Sequence, residues 1–450
     1  MGRLFGTDGA RGIANDDLTC ELAMNIGRAA AMVLAKGGKT HPKILIGKDT
    51  RVSSDMLESA LAAGLCSVGA KVVQLGVVPT PAVAYLIKKY GADAGVMISA
   101  SHNPCEFNGI KIFSGTGYKL PDALEEQIEA IVLDHVETPA YPTGGEVGSI
   151  SAEPCALRDY MDHVKSTVPA GALSGLRIAL DCANGSAAAT AQTLFTELGA
   201  ECHMLSDQPN GVNINDNCGS THMQTLMDYV RENGLDAGLA FDGDADRCLA
   251  VDEKGEVVDG DFLMAICALD LKSQGRLAKS AAVGTVMTNM GFIRFCEENG
   301  IKFAATKVGD RYVLEEMLQS GYNFGGEQSG HIIFLDHSTT GDGQMTGVQL
   351  LSILNRRGAL LSSLATLMAR YPQVMVNVTV SREGKLRFYT DPQVTEAVEQ
   401  AKKKLGDRGR VVVRPSGTEP LLRVMIEGED HDEIHTLAHA VAGVVKERLS

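Results

Sequence analysis

Four short segments of this chain carry residue types that could do chemistry, and they lie far apart in sequence. The first is Ile98-Ser99-Ala100-Ser101-His102-Asn103-Pro104. The apolar run Ala94–Ile98 reads as a strand leading straight into a Ser–His pair. Asn-Pro then ends regular structure, because the residue before proline is pushed away from helix. A serine fixed at the end of a strand suits a nucleophile or a phosphoryl carrier. The second segment is Asp242-Gly243-Asp244-Ala245-Asp246-Arg247. If extended, carboxylates at i, i+2 and i+4 share one face. Crowded carboxylates repel one another unless a cation sits among them, and hard oxygen ligands favour Mg²⁺ or Ca²⁺. A solvated acidic turn is the plain alternative, but strand-like Leu239–Phe241 and Cys248–Val251 flank the segment. An EF-hand loop fails because Arg247 stands where that loop needs glycine.

The third segment is Gly325-Gly326-Glu327-Gln328-Ser329-Gly330-His331. Its glycines allow close backbone approach, and its polar side chains suit sugar hydroxyls or an amine. A polar turn between strands is the competing reading. The fourth is Arg414-Pro415-Ser416-Gly417-Thr418-Glu419-Pro420, with Arg423 just beyond. Arginine forks, hydroxyls and glycine-freed N–H groups are what a phosphate dianion needs. A turn with a surface arginine would look similar.

Together these segments resemble the α-D-phosphohexomutase family. The resemblance runs from Phe5-Gly6-Thr7-Asp8-Gly9-Ala10-Arg11-Gly12 to the fourth segment, and so covers essentially the whole chain. Glu327–His331, Ile98–Pro104, Asp181–Gly185 and Thr339–Gly343 are similar to the branch acting on glucosamine phosphates. Cys105 departs from the bulkier residue often found after Asn-Pro in the family. The resemblance implies interconversion of glucosamine 6-phosphate and glucosamine 1-phosphate through a phosphoserine enzyme and a hexose 1,6-bisphosphate, which also serves as activator, feeding UDP-N-acetylglucosamine synthesis. Ser101 would carry the phosphoryl group. Mg²⁺ would be held by Asp242, Asp244, Asp246 and a phosphoserine oxygen. Arg11 and Arg247 would stabilise the transferring group, with an ion-pair role for Arg247 equally open. Lys111 could move a proton if its pKa is lowered. His102 would orient the serine, and His331 would transfer a proton or contact the sugar. Glu327 and Ser329 would contact sugar hydroxyls. Arg414, Ser416, Gly417, Thr418 and Arg423 would hold the non-reacting phosphate. Asp8, Lys48, Asp49 and Arg51 read as an ion-pair scaffold behind the site, and Gly309-Asp310-Arg311-Tyr312 as a substrate loop or a structural turn. Alternatives are a glucose or mannose phosphate mutase, a metal-dependent sugar phosphatase, and a non-catalytic sugar-phosphate binder.

These segments need elements to position them. Strand and helix signals alternate over most of the 450 residues, which indicates α/β layers. One strand–helix plan recurs three times. It starts at Lys43–Gly47 with a helix over 54–68 and the strand Lys71–Leu75. It starts again at Leu176–Leu180 with a helix through Leu198, and at Ala281–Val286 with a helix ending near Asn299. The last part differs, with strands at Val374–Val380, Val411–Val413 and Leu422–Ile426 and helices over 393–405 and 432–449. The expected fold is α/β in four domains, 1–155, 156–255, 256–370 and 371–450. The resemblance implies three similar mixed α/β domains plus a smaller α+β C-terminal domain around a central cleft.

Composition narrows the partners. A formal charge of −15 argues against nucleic-acid or anionic-membrane binding, and the small sugar phosphate that the resemblance implies as partner has to bind against that field. The arginines must then overcome an acidic background locally. Ten scattered cysteines without a C-x-x-C pair read as reduced thiols. No signal-peptide pattern opens the chain, Met1-Gly2 lacks the hydroxyl spacing for myristoylation, and no apolar run nears ~20 residues. A cytoplasmic enzyme is expected. A homodimer is compatible with the sequence, which does not set the oligomeric state. With no Trp and 5% aromatic residues, hydrogen bonds and charge rather than ring stacking must select the sugar.

Overall fold

A computed structural model describes residues 3–6, 8–35, 40–416 and 420–450. The chain packs as two compact units. The first comprises Met1–Thr285 and Ala304–Thr366, and the second Val286–Phe303 and Leu367–Ser450. Four sheets follow one another along the sequence. The first contains β1 (Ala10–Ile13), β2 (Lys43–Lys48), β3 (Lys71–Val77), β4 (Ala94–Ile98), β5 (Phe107–Ser114) and β6 (Ser149–Ala152). The second contains β7 (Arg177–Asp181), β8 (Glu201–Leu205), β9 (Ala237–Phe241), β10 (Cys248–Asp252) and β11 (Val257–Val258). The third contains β12 (Ala281–Thr285), β13 (Lys302–Thr306), β14 (Phe324–Gly326) and β15 (Ile332–Phe334). The fourth contains β16 (Gln373–Thr379), β17 (Gly409–Pro415) and β18 (Leu421–Gly428).

The first three sheets share one inner order. It reads β5-β4-β2-β3 in the first, β10-β9-β7-β8 in the second and β15-β14-β12-β13 in the third. In each, the third strand of the set lies parallel to the first, and the fourth returns antiparallel to the third. Three copies of one plan, expected from the strand–helix rhythm, are therefore present as topology. β1 and β6 extend the first sheet, and β11 extends the second.

The first two sheets are buried enough to read as apolar runs, since helices cover parallel strands on both faces. Ile44, Ile46, Val96, Ile98, Ile110 and Ile112 meet Ile26, Leu57 and Leu61 of helices Cys20–Ala35 and Val52–Ser67 in one cluster. Each such side chain contributes about 1.5–3 kcal/mol on burial. In the second unit, helices Pro392–Leu405 and His431–Leu449 back the three-stranded antiparallel sheet through Val394, Leu405, Ile434, Val441 and Val445.

Most expected strands fall within a residue or two of their observed bounds. The helix expected through Leu198 is broken: a 3₁₀ turn at Ser186–Ala189 precedes helix Ala191–Glu197. Ala183 and Asn184 sit at φ 54° and 48°, so the chain leaves β7 through a left-handed corner before it can coil. Among the described residues, no helix is long and apolar enough to cross a membrane.

Candidate active site

The three chemical segments of the first unit occupy one topological slot. Each is the loop joining the third strand of its sheet to the returning fourth. Ser101 and His102 lie between β4 and β5, Asp242–Arg247 between β9 and β10, and Glu327–His331 between β14 and β15.

Ser101 is 1% exposed and sits at φ 53°, a left-handed conformation that non-glycine residues seldom adopt. Holding it there costs about 1–3 kcal/mol, which the surroundings must offset. Its N–H donates to Ser99 Oγ at 3.0 Å, and Ser99 Oγ donates to Asp49 Oδ2 at 2.6 Å. Arg51, fully buried and paired with Asp49 at 2.8 Å, donates to the carbonyls of Ser101 and Asn103 at 3.0 and 2.8 Å, and also to those of Pro104 and Phe107. Asn215 Nδ2 reaches the Ser101 and Asn103 carbonyls at 2.9 Å each. Asp49 and Arg51 are thus scaffold, and they fix the strained loop. Lys48 pairs with Asp55 and Glu58.

The carboxylates converge as expected, but by a different route. Residues 242–247 form a turn rather than an extended strand, and Ala245 sits at φ 55° to fold it. Ligand oxygens of Asp242, Asp244 and Asp246 lie within 4.8 Å of one another, and all three residues are buried. Ser101 Oγ donates to Asp242 Oδ2 at 2.6 Å. Thr80 Oγ1 and Lys111 Nζ both donate to Asp244 Oδ2, at 2.6 and 2.7 Å. Asp244 Oδ1 and Asp246 Oδ1 are buried with no hydrogen-bond partner among the described residues. Orphaned buried oxygens beside a third carboxylate are what a hard cation would satisfy, so the residues present fit a divalent metal. The β-strand flanks also bear out the rejection of an EF-hand.

Electrostatics sort the acids. Burial, then Asp246 and Asp244, push the Asp242 carboxyl well above its usual range. Burial acts the same way on Asp246, but Lys111, His331 and Arg247 outweigh it and hold that carboxyl low. For Lys111, the expected lowering is not found. Burial acts downward, yet Asp244, Asp8 and Asp246 together hold the ammonium strongly protonated. Lys111 is a fixed cation here, paired with Asp244 at 2.7 Å and Asp8 at 3.2 Å. His102 is lowered to about 4 by burial and by Arg247 and Arg11. Its neutral Nδ1 accepts from Arg247 Nη1 at 3.2 Å and lies 3.5 Å from Ser101 Oγ. Arg247 also approaches Asp246 at 3.8 Å and Asp242 at 4.0 Å, so it spans the serine loop and the acidic turn. Arg11 pairs with Asp8.

Sequence reasoning missed a bridge. Lys119 Nζ contacts Asp8 at 2.8 Å and Asp310 at 2.6 Å. Asp310 Oδ2 lies 3.6 Å from His331 Nε2, and Asp246 Oδ2 lies 3.6 Å from His331 Nδ1. With Lys111 to Asp246 at 3.8 Å, six groups close a ring in which carboxylates alternate with nitrogen groups: Lys111, Asp8, Lys119, Asp310, His331 and Asp246. A cavity of about 460 Å³, whose walls include Lys119, Asp310, His331, Leu314 and Ile333, opens beside it. The only signal for Asp310 was its ambiguous turn, and Lys119 carried none.

His331 is 3% exposed, Glu327 half-buried and Ser329 exposed. Gly341 N–H donates to His331 Nε2 at 3.0 Å, which places the ring proton on Nδ1 facing Asp246. Burial acts to lower the His331 pKa and Asp246, Asp310 and Glu327 act to raise it, but the Gly341 N–H on Nε2 opposes a second proton, so the hydrogen bond sets the tautomer. Glu327 Oε1 accepts the Gly309 N–H at 3.1 Å. The loop is bolted to the acidic turn through Cys248 N–H to the Gly330 carbonyl at 3.1 Å. Gly330 is at φ 91°, and a Cβ there would fall on the Cys248 carbonyl oxygen, so only glycine fits.

The second unit holds the remaining candidates. Arg414 and Arg423 are directly opposed across β17 and β18. Like charges in that relation are destabilising. Burial, then Arg423, lower the Arg414 pKa, and Arg414 has no carboxylate partner among the described residues. Ser416 is buried, its N–H donates to the Leu421 carbonyl at 2.8 Å, and Lys385 Nζ reaches its carbonyl at 2.7 Å. Gly417 and Thr418 lie outside the described residues.

Comparison with known proteins agrees with this arrangement. Four domain families described as phosphoglucomutase/phosphomannomutase match in order: alpha/beta/alpha domain I over 2–138, domain II over 158–255, domain III over 259–371 and the C-terminal domain over 375–444. A phosphoglucosamine mutase from Clostridium novyi (strain NT) is 55% identical over 451 residues, covering 100% of both chains. A phosphoglucomutase/phosphomannomutase family protein from Burkholderia thailandensis shares the fold with a TM-score of 0.84 at 23% identity, over 99% of this chain and 97% of that one. The Aspergillus fumigatus N-acetylphosphoglucosamine mutase, solved with GlcNAc-6P and magnesium, gives a TM-score of 0.73 at 18% identity, over 99% and 96%. Motifs, repeated topology and full-length matches agree: the chain belongs to the phosphoglucomutase/phosphomannomutase family, the α-D-phosphohexomutases.

Proposed function

We propose that this chain is an isomerase that interconverts glucosamine 6-phosphate and glucosamine 1-phosphate by phosphoryl transfer through Ser101. The observation that carries the chemistry is Ser101 Oγ, held in a strained loop 2.6 Å from Asp242 at the edge of a buried three-carboxylate cluster. Full-length identity of 55% to a protein named phosphoglucosamine mutase supports the amino sugar over glucose or mannose.

Phosphorylated Ser101 passes its phosphoryl group to the free hydroxyl of the sugar phosphate: the Ser101 Oγ–P bond breaks as the sugar O–P bond forms, the hydroxyl proton ends on Ser101 Oγ, and a 1,6-bisphosphate results. The bisphosphate reverses and returns its other phosphoryl group to Ser101. Asp242, Asp244, Asp246 and a phosphoserine oxygen would hold Mg²⁺, which when bound neutralises charge on the transferring group. Arg247 and Arg11 direct their guanidinium groups to phosphoryl oxygens. His102, neutral and fixed by Arg247, orients the serine side chain. Lys111 acts as a fixed cation that neutralises Asp244 and Asp8. His331, with its tautomer set by Gly341, presents Nδ1–H beside Asp246. Glu327 and Ser329 take sugar hydroxyls. Arg414, Ser416, Gly417, Thr418 and Arg423 hold the non-reacting phosphate, a reading supported by two opposed arginines that an anion would reconcile. Such positioning supplies up to roughly 7–11 kcal/mol of a barrier. We read the chain as four domains divided near residues 155, 255 and 370, supported by four sheets in succession. We place the reaction in the cytosol, a reading supported by ten free cysteines.

The test is turnover of glucosamine, glucose and mannose phosphates side by side, with Mg²⁺ and a hexose 1,6-bisphosphate, and with Ser101→Ala as control. A large kcat/KM preference for glucosamine phosphate that vanishes in the control is the expected result. Equal or better turnover of glucose or mannose phosphate overturns the substrate. Release of free phosphate without isomer formation overturns the reaction.

A further inference from the structure

Helix His431–Leu449 turns Ile434, Leu437, Ala438, Val441 and Val445 into the core of the second unit. At steps of four residues, an exposed flank of the helix carries His431, His435 and His439. Residues four apart lie one above the other on a helix surface. The His435 and His439 rings are 4.4 Å apart between centroids, and His431 and His435 are 6.2 Å apart. Neither His435 nor His439 has a hydrogen-bond or carboxylate partner among the described residues, whereas His431 Nδ1 lies 3.7 Å from Asp432. Two unengaged imidazoles on successive turns of a helix anchored by its apolar face form a pre-set bidentate clamp.

We propose that His435 and His439 bind one divalent transition-metal ion of borderline softness, of the Zn²⁺, Ni²⁺ or Cu²⁺ class, with water completing the coordination. Imidazole nitrogen selects such ions, while the carboxylates of Asp242, Asp244 and Asp246 select hard ones, so the two sites differ in chemistry as well as place. The clamp is two-armed: among the described residues, the only group offering three converging ligand atoms is the aspartate cluster. Because the anchor helix packs on β16 and β18, an ion across two of its turns stiffens the element behind the sheet that bears Arg414 and Arg423.

The experiment is calorimetric titration of the untagged full-length chain with Ni²⁺ in excess Mg²⁺, which occupies the carboxylate site. Wild type should take up one Ni²⁺ per chain. His435→Ala and His439→Ala should each weaken that uptake about a hundredfold, since the ion then hangs by one arm, and His431→Ala should leave it unchanged. All three side chains are exposed, so the variants should fold, and a melt coinciding with wild type certifies it. Absence of Ni²⁺ uptake by wild type, or uptake that survives both substitutions, overturns the clamp. Loss in His435→Ala and His431→Ala but not in His439→Ala overturns the assigned pair. Electron paramagnetic resonance of the Cu²⁺-loaded protein should show two imidazole nitrogens, and one nitrogen or none contradicts the assignment.

Discussion

The aspartate turn and the β17–β18 arginine pair each crowd like charges, and they resolve the crowding in opposite ways. Around Asp242, Asp244 and Asp246 the protein supplies its own counter-charges, Lys111 and Arg247, and adds a hydroxyl donor from Thr80. Arg414 and Arg423 face each other across two strands, and Arg414 has no carboxylate partner among the described residues. The first cluster is built to stand by itself with an ion added. On the function proposed above, Arg414 takes its counter-charge from the substrate. Substitutions should therefore separate folding from function in one region and not in the other.

The largest expected effect tests the reading beneath that comparison. Ser101→Ala should lower turnover by roughly 10⁴-fold or more, since removing a covalent participant cannot be compensated by binding. Isomerisation that persists in this variant would unseat Ser101. Next, Asp244→Ala should reduce both activity and stability. It removes the nearest of the three carboxylates around buried Lys111, leaving Asp8 at 3.2 Å and Asp246 at 3.8 Å, and it takes the acceptor from Thr80; breaking a buried pair costs at most about 3–5 kcal/mol, readable in denaturant unfolding. A variant as stable as wild type would show that the acidic turn is not self-compensated. Arg414→Ala is the contrasting case. Its kcat/KM should fall by about tenfold to a hundredfold, from a lost charge-assisted contact of ~1.5–3 kcal/mol. Its stability should not fall, since like charges directly opposed across two strands do not stabilise them. A clear loss of stability would place Arg414 in the fold rather than in the ligand site.

The smallest effect concerns a third cluster, where Arg311 serves Asp122, Glu125 and Glu315. Burial, against the pull of Arg311 and with Asp122 adding to it, raises Glu125 from 4.5 to about 7. The folded state then holds a proton that the unfolded state releases. The contribution to stability is full below pH 4.5 and is lost as pH rises through 7. Unfolding midpoints followed over that window should decline in wild type relative to Glu125→Gln. Parallel curves would mean that Glu125 titrates normally.

What could be read in the sequence was what local chemistry writes there. β4 and β9 announced themselves as apolar runs ending in polar segments, and Asp242-Gly243-Asp244-Ala245-Asp246 was recognisable by composition. The route of convergence was not, because φ 55° at Ala245 and φ 53° at Ser101 are imposed by distant partners. Asn215 holds the Ser101 carbonyl from 114 positions away, and Thr80 reaches Asp244 across 164. Lys119 and Asp310 lie 191 positions apart. No spacing rule connects residues at such separations. The equivalence of the three loops was equally hidden, since strand order is fixed by pairing and leaves no local trace.

The ring of Lys111, Asp8, Lys119, Asp310, His331 and Asp246 has one more consequence, for mutational tolerance. A linear relay fails at its first missing member. A closed ring with one member removed becomes an open chain in which each surviving lysine, Asp8 and Asp246 still touches a neighbour of opposite character. The arrangement behaves like a meshed grid that rides out one failed line. Two failures on opposite sides would island a group, so harm should appear as synergy between distant changes rather than in any one of them.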